Sequence, residues 1–242
     1  MITLDEFKER FIEIKNMGWI KTHRAGTTGI GKTLEDLLGI HENNIQGPDF
    51  GRYELKSMRK NANSMLTLIT KSPDEPAGAN TLLRLNYGYS SNAYDNDEKV
   101  LHSTLNATKF TKISDTGHSL KVSCTSDKIN IIDENNTIVA SWLISNLKAV
   151  MDKKLSDQFV FVRASSRGIG ENEEFLFDEA YLLDGFNSQA IIDLVNKGEI
   201  YVDLRIGQYH NGKNKGKTHD HGTGFRIFEK SHYLIFNIKR IV

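Results

Sequence analysis

The stretch Pro48-Asp49-Phe50-Gly51-Arg52-Tyr53-Glu54-Leu55-Lys56 gathers two carboxylates and a lysine on one short piece of chain. Gly47-Pro48 breaks whatever precedes it, and Arg52 to Met58 then has the character of an extended segment. In a strand, residues two apart share a face, so Glu54 and Lys56 project together while Leu55 turns into the core behind them. Asp49, at the turn before the strand, can swing its carboxylate next to Glu54. Carboxylates of this kind hold Mg²⁺, which polarises a scissile phosphate and lowers the pKa of a bound water. A lysine beside them positions that water or stabilises negative charge. Glu35, on a short upstream helix, can add a third carboxylate. Asp…Glu-x-Lys is equally compatible with a surface strand carrying a salt bridge, and the pattern alone does not separate the two.

Upstream, Thr3-Leu4-Asp5-Glu6 is a capping box, and Leu4, Phe7, Phe11 and Ile14 follow at helical spacing to a stop at Gly18. A short strand is expected over Trp19 to His23, a glycine-rich turn over Thr27 to Gly31, and a helix from Lys32 with Leu34, Leu37 and Leu38 on one face and Gly39 at its end. Downstream, Ser64 to Thr70 is extended, and residues 86 to 118 are polar enough to be expected as loop. Leu120–Thr125, Lys128–Asp133 and Thr137–Ser141 form a meander, followed by a helix over Trp142–Lys154. Phe159–Ala164 is β-rich and 171–184 strongly acidic. Asn187 caps a helix closed by Gly198, and Ile200–Ile206 is the clearest strand of all. Further strands are expected near Phe225 and over Tyr233–Val242. Strands and helices interleave without repeats or a clean domain boundary, so the class is α/β or α+β with a mixed sheet.

The chain has 242 residues, enough for one large domain or two small ones with a sizeable core. Lys plus Arg and Asp plus Glu are both 31, which excludes a basic field over the whole molecule and leaves any anionic partner to a local patch. Cys124 is the only cysteine, so an intrachain disulfide and a Cys-based zinc finger are excluded. No apolar run approaches the ~20 residues of a transmembrane helix, and the N-terminus has no signal-peptide core. The expectation is a cytoplasmic protein without membrane association.

Gly26-Thr27-Thr28-Gly29-Ile30-Gly31-Lys32-Thr33 matches the P-loop pattern. That pattern requires a buried strand before it and a long helix after it, and the segment before it here, Ile20 to Ala25, is polar. A P-loop nucleotide hydrolase is therefore the competing enzyme class. The other interpretation is a helix-starting turn with free N–H groups.

Beyond Ile206, a glycine-rich loop carries Lys213, Lys215 and Lys217 in alternation, a spacing suited to a phosphate backbone. Arg205 and Arg226 offer forks for guanine, Asp203 and Asp220 acceptors for the cytosine amino group, and His219 and His221 either function. Two alternatives stand beside this: a solvated loop, and a zinc site from His210, His219 and His221.

These residues sit inside longer words: Thr27–Thr33 with Glu35-Asp-Leu-Leu38, Pro48-Asp49-Phe50, Glu54-x-Lys56, Thr70–Pro73, Gly78–Thr81 with Leu83-Arg84, and Val202–Gly207 through Lys215–Thr223 and Phe225–Ile227. In them the chain resembles the MvaI/BcnI family of type II restriction endonucleases, nearer its MvaI branch, and more distantly the mismatch-repair nicking enzyme MutH. The resemblance spans nearly the whole chain, with poor matches over 86–145 and 163–186. It implies a PD-(D/E)xK nuclease fold, a central mixed sheet flanked by helices. It also implies one two-lobed unit over 1–242 with a DNA-binding cleft, the catalytic cluster in about 25–75 and recognition elements in about 200–230. It implies Asp49, Glu54 and Lys56 as catalytic residues with Mg²⁺ on Asp49 and Glu54. It carries Asp203, Arg205, His219, Asp220, His221 and Arg226 over to base readout, and the whole expected DNA-binding set adds Lys71, His210, Lys213, Lys215, Lys217 and Thr223. The implied partners are double-stranded DNA, met by a monomer, and a host methyltransferase protecting the same site. The implied target is CC(A/T)GG. A MutH-like strand-nicking enzyme and a DNA-binding module without catalysis are the other outcomes.

Overall fold

The computed structural model describes residues 2–40, 49–60, 65–90, 98–155 and 158–242; the Gly47-Pro48 turn expected from sequence lies outside them. From the N-terminus the elements run α1 (Leu4–Asn16), β1 (Ile20–Lys21), α2 (Gly29–Leu38), β2 (Tyr53–Arg59), β3 (Met65–Thr70), α3 (Ala79–Tyr87), β4 (Tyr89–Ser90) and β5 (Lys99–Leu105). Then come β6 (Thr111–Lys112), β7 (Ser119–Cys124), β8 (Lys128–Asp133), β9 (Ile138–Leu143), α4 (Ile144–Leu155) and β10 (Gln158–Arg167). The rest is β11 (Glu174–Asp184), α5 (Ile191–Asn196), β12 (Ile200–Gln208), β13 (Thr218–Asp220), β14 (Gly224–Phe228) and β15 (Asn237–Arg240). The chain divides into two compact units. One is Met1–Ser64 with Leu155–Phe186 and His232–Val242, and the other is Met65–Lys154 with Asn187–Ser231.

The first unit is a mixed sheet, β1-β11-β10-β2, with β15 also on β11; β2 and β10 run parallel and the other pairs antiparallel. α1 begins with its capping box formed: Thr3 Oγ1 accepts from Glu6 N at 3.2 Å and Glu6 Oε2 accepts from Thr3 N at 2.7 Å. Its Phe7, Phe11 and Ile14 join Leu34 and Leu38 of α2, Leu55 of β2 and Val160 and Val162 of β10 in one buried core. That core covers one face of the sheet.

The second unit holds two sheets. β3-β14-β12-β5-β4, with β13 on β12, is antiparallel throughout, and β6-β7-β8-β9 is the expected meander. Ile200, Val202, Leu204 and Ile206 of β12 are all buried. Asn187 caps the 3₁₀ turn Ser188–Ala190 that leads into α5 rather than α5 itself, its Oδ1 accepting from Gln189 N at 3.1 Å.

Three expectations need correction, and one stretch given no element from sequence is a strand. Residues 86–118 are not all loop: β5 pairs with β12, and Val100, Leu101 and Leu105 are buried, a spacing too uneven to show the alternation of a half-exposed strand. The acidic stretch 171–184 is mostly β11, whose Glu174, Asp178 and Glu179 pair with Arg167, Lys60 and Arg163, while Arg59 pairs with Glu173 just before it. The helix expected from Lys32 starts at Gly29. The C-terminal strand is only β15, because Glu229–Leu234 forms a 3₁₀ turn. No helix among the described residues is long and apolar enough to cross a membrane.

Candidate functional site

Asp49 is placed by an aromatic anchor. Phe50 is buried and its ring stacks on Phe7 of α1, centroids 5.4 Å apart. Phe50 N donates to Tyr53 O at 3.1 Å and Tyr53 N to Phe50 O at 2.8 Å, which closes a tight turn through Gly51 at φ +54°. The turn folds Asp49 against β2, where its Oδ2 accepts from Leu55 N at 2.7 Å. Leu55 points into the core, so Glu54 and Lys56 stand on the other face, with Lys56 Nζ 2.5 Å from Glu54 Oε1. Their cross-strand neighbours there are Phe159 and Phe161 of β10, which pack against Phe236 and His232. Burial raises the Asp49 carboxyl above its ordinary pKa. The Leu55 N–H and Lys56 oppose this and the charge of Glu54 adds to it. Glu35 is placed differently. A Cβ at Gly31 would lie 3.7 Å from Ser57 Oγ and 3.9 Å from Glu35 Oε1, which puts Glu35 beside the strand face that carries Leu55 and Ser57.

The P-loop look-alike does not form a phosphate cradle. The strand before it is two residues long, and its carbonyls at Gly26 and Thr27 accept from Arg59 Nη2 at 3.0 Å and Nη1 at 3.2 Å. Lys32 Nζ pairs with Asp36 at 2.7 Å, and the buried Thr33 hydroxyl donates to Gly29 O at 2.7 Å. Lysine and hydroxyl are thus spent within the helix. Arg59 is itself held by Glu173, with Nε to Oε1 at 2.6 Å and Nη2 to Oε2 at 2.8 Å.

In the second unit, β12 and β14 carry the two arginines. Asp203 is wholly buried, and its carboxylate is held by Thr104 Oγ1 at 2.6 Å and Arg205 Nε at 2.7 Å. Arg226 Nε lies 2.9 Å from Asp203 Oδ2, an ion pair whose angle falls short of a hydrogen bond. Asp203, expected to accept from a cytosine amino group, is therefore an interior group with filled oxygens. Asp220 is filled as well. Its Oδ1 accepts from Gly222 N at 3.0 Å and Thr223 N at 2.6 Å, and its Oδ2 from Ser72 Oγ and Asn80 Nδ2, both at 2.8 Å. These donors outweigh burial and hold its pKa low. Thr223 is buried too and braces the backbone, its Oγ1 accepting from Arg205 N at 3.2 Å. Lys71 is not a free cation, since its Nζ pairs with Asp74 Oδ1 at 2.6 Å.

The histidines gather along the same sheet. His219 stacks on Tyr209 with centroids 4.2 Å apart and lies 4.1 Å from His221. Gly207 leaves room for His221: a Cβ there would meet its Nε2 at 2.9 Å. Burial lowers the pKa of His221, with the charges of His219 and His210 adding to it and Asp220 opposing. His210 Nδ1 is instead drawn to Glu98 Oε2 at 2.7 Å. Among the described residues no three His, Cys, Asp or Glu side chains are grouped to hold a metal, so the zinc alternative finds no support. Lys213, Lys215 and Lys217 are exposed. Two residues not singled out from sequence, His102 and Thr104 of β5, lie directly across from Arg205 and Asp203. Their His-x-Thr spacing was the available signal, hidden in a segment without evident strand character. Burial, with Arg205 and His221 nearby, keeps the His102 pKa low.

The sequence profile of the MvaI/BcnI restriction endonuclease family matches residues 8–236, and the chain belongs to that family: it is a DNA-binding endonuclease of a restriction system. Among solved structures it is similar to restriction endonuclease MvaI in complex with its cognate DNA substrate, at 35% identity over 100% of both chains with a TM-score of 0.84. It is also similar to MvaI in the absence of DNA, at 35% identity, the same coverage and a TM-score of 0.61. No curated protein sequence matches it.

Proposed function

We propose that the protein is a type II restriction endonuclease of the PD-(D/E)xK type that uses Mg²⁺ to hydrolyse both strands of DNA at CC(A/T)GG. The observation that carries the chemistry is the folding of Asp49 onto the backbone of Leu55, which sets its carboxylate at the strand that presents Glu54 and Lys56. The donor set fits Mg²⁺, which takes one or two carboxylates and fills its remaining positions with water and phosphate oxygens. Burial raises the pKa of Asp49 and the Glu54 charge adds to it, and a cation shared by the two carboxylates would relieve the second of these. Asp49 and Glu54 would hold the ion, which when bound supplies a Lewis acid and a water of lowered pKa. Lys56, restrained by Glu54, presents a fixed positive charge where the phosphate gathers negative charge. Phe159 and Phe161, buried at the matching positions of the parallel β10, are the pair's neighbours on that face.

The target proposal rests on the likeness to MvaI and on two arginine forks suited to guanine O6 and N7. A monomer reading a nearly symmetric site would cut the strands in two successive events. A host methyltransferase acting on the same sequence would protect the host genome.

Plasmid of known sequence, digested with Mg²⁺ and with EDTA, tests this. Ends mapping to CCAGG and CCTGG support it. Ends at CCCGG and CCGGG move the specificity, nicked circles alone favour a MutH-like activity, and cutting at sites without CC…GG refutes the target. Asp49→Ala, Glu54→Ala and Lys56→Ala should each abolish cleavage while leaving DNA binding nearly intact, and Glu35→Gln run alongside tests for a third carboxylate. Wild-type cutting by Asp49→Ala removes the catalytic assignment.

A further inference from the structure

The polar side of β12 carries a charge that meets no solvent. Asp203 is 0% exposed, and an ionised carboxylate in that position is tolerated only when donors fill its oxygens. Thr104 and Arg205 supply hydrogen bonds and Arg226 adds an ion pair, all placed by register. Thr104 lies directly opposite on β5, Arg205 is two residues along the same face, and Arg226 on β14 is two residues beyond Gly224, the cross-strand partner of Asp203. Both arginines turn their Nε toward Asp203 Oδ2, at 2.7 and 2.9 Å, while their side chains keep 40% and 25% exposure. Nε is the inner edge of each guanidinium, so the part left for a ligand is the Nη end, the donor pair that matches guanine O6 and N7. A guanidinium fixed on its inner edge also loses less freedom on meeting a base.

We infer that Asp203 is a positioning residue for sequence readout: it touches no base, and it holds Arg205 and Arg226 so that their Nη ends each engage the major-groove edge of a guanine. The inference rests on the DNA-cleavage function proposed above and names the groups that read its target. Asp203→Asn keeps the shape but sets an amide donor or a weaker acceptor against two N–H groups.

The test titrates wild type and Asp203→Asn, without Mg²⁺, against three kinds of duplex. One carries the site that cleavage mapping returns. The second has 7-deazaguanine, which lacks the N7 acceptor, at each guanine in turn. The third has 2-pyrimidinone, which lacks the 4-amino group, at each cytosine. Wild type should lose about threefold to tenfold in affinity at each guanine an arginine reads. Asp203→Asn should bind the natural site about tenfold to a hundredfold more weakly. It should also be indifferent to 7-deazaguanine, pay the same cytosine penalty as wild type, and bind random duplex normally. Thr104→Val removes one neutral donor while leaving the carboxylate and both arginines; it should show a smaller loss of the same pattern, and it keeps the test alive if the amide variant folds poorly. The inference is overturned if Asp203→Asn keeps the full guanine penalty. It is equally overturned if the variant loses the cytosine penalty, which would mean that Asp203 meets the base itself. Wild-type protein that prefers no duplex would overturn the proposed function and this inference together, whereas site-specific wild type with an unaltered Asp203→Asn variant sinks the inference alone.

Discussion

Replacing Lys213, Lys215 and Lys217 together by alanine should change the salt dependence of DNA binding far more than replacing Lys71. The three loop lysines are exposed, and Lys217 Nζ donates to a neutral group, Asn214 Oδ1, at 3.3 Å. Lys71 is a contrasting case: its side chain is 20% exposed and its Nζ sits 2.6 Å from Asp74, which also accepts from Leu143 N and Asn146 Nδ2. A cation already neutralised by a carboxylate displaces few counterions from DNA. Each phosphate contact contributes about 0.9 to the slope of log affinity against log salt, so three contacts contribute about 2.7. Over the fourfold salt change from about 50 to about 200 mM, that difference is about 40-fold in affinity. Fluorescence anisotropy with a random-sequence duplex, without Mg²⁺, measures the slope directly. The triple variant should lose less affinity than wild type across the range, and Lys71→Ala should track wild type. A triple variant with the wild-type slope, or a Lys71→Ala slope shallower by about one, would refute the assignment of backbone contacts to the loop.

Three further outcomes follow from the first and second units. Asp49 has a folded pKa above its unfolded one, so its contribution favours folding at pH values below the unfolded pKa and is lost as pH rises through the folded pKa; in EDTA at pH 7, Asp49→Asn should melt above wild type, with the gap closing as pH falls into the carboxylate range, and a lower Tm at pH 7 contradicts this. Burial pushes the Cys124 thiol up to about 11, which leaves about one thiolate in a thousand at pH 8. Native protein should therefore react slowly with a disulfide reagent and urea-unfolded protein quickly, and a fast native reaction contradicts the burial. Arg59→Ala strips the nearly buried Glu173 of its fork and should cost about 3 kcal/mol in urea denaturation, the low end for a broken buried pair because Arg59 keeps some exposure; a loss below about 1 kcal/mol contradicts it.

The strand that bears Glu54 and Lys56 was legible because its evidence is local: a turn, a period of two, and charged side chains two apart around an apolar one. The same holds for α1, whose cap lies within four residues, and for β12, whose apolar alternation is uninterrupted. β5 and β11 were hidden for opposite reasons. β5 is covered unevenly on both faces, so its sequence lacks alternation, and β11 carries acids that only a cross-strand arginine or lysine makes acceptable in a sheet. The roles of Asp203, Asp220 and Thr223 depend on partners 99, 148 and 18 positions away in the chain, and no local pattern distinguishes an aspartate aimed at a base from one locked inside. The P-loop look-alike fails for the same reason. Its letters are right, and the side chain that occupies it, Arg59, arrives from 33 residues downstream.

Each compact unit is stitched from separate stretches of chain, three for the one holding Asp49 and two for the one holding Arg205. No contiguous block of the gene therefore encodes either half, and neither half can be excised or exchanged by a single splice. A restriction enzyme that acquires a new target by accident endangers its host unless a matching methyltransferase changes with it. Modular enzymes can trade a whole recognition segment in one recombination event. Here the 200–230 stretch leans on Thr104, Ser72 and Asn80 from other stretches, so transplanted alone it would arrive without the partners that hold Asp203 and Asp220.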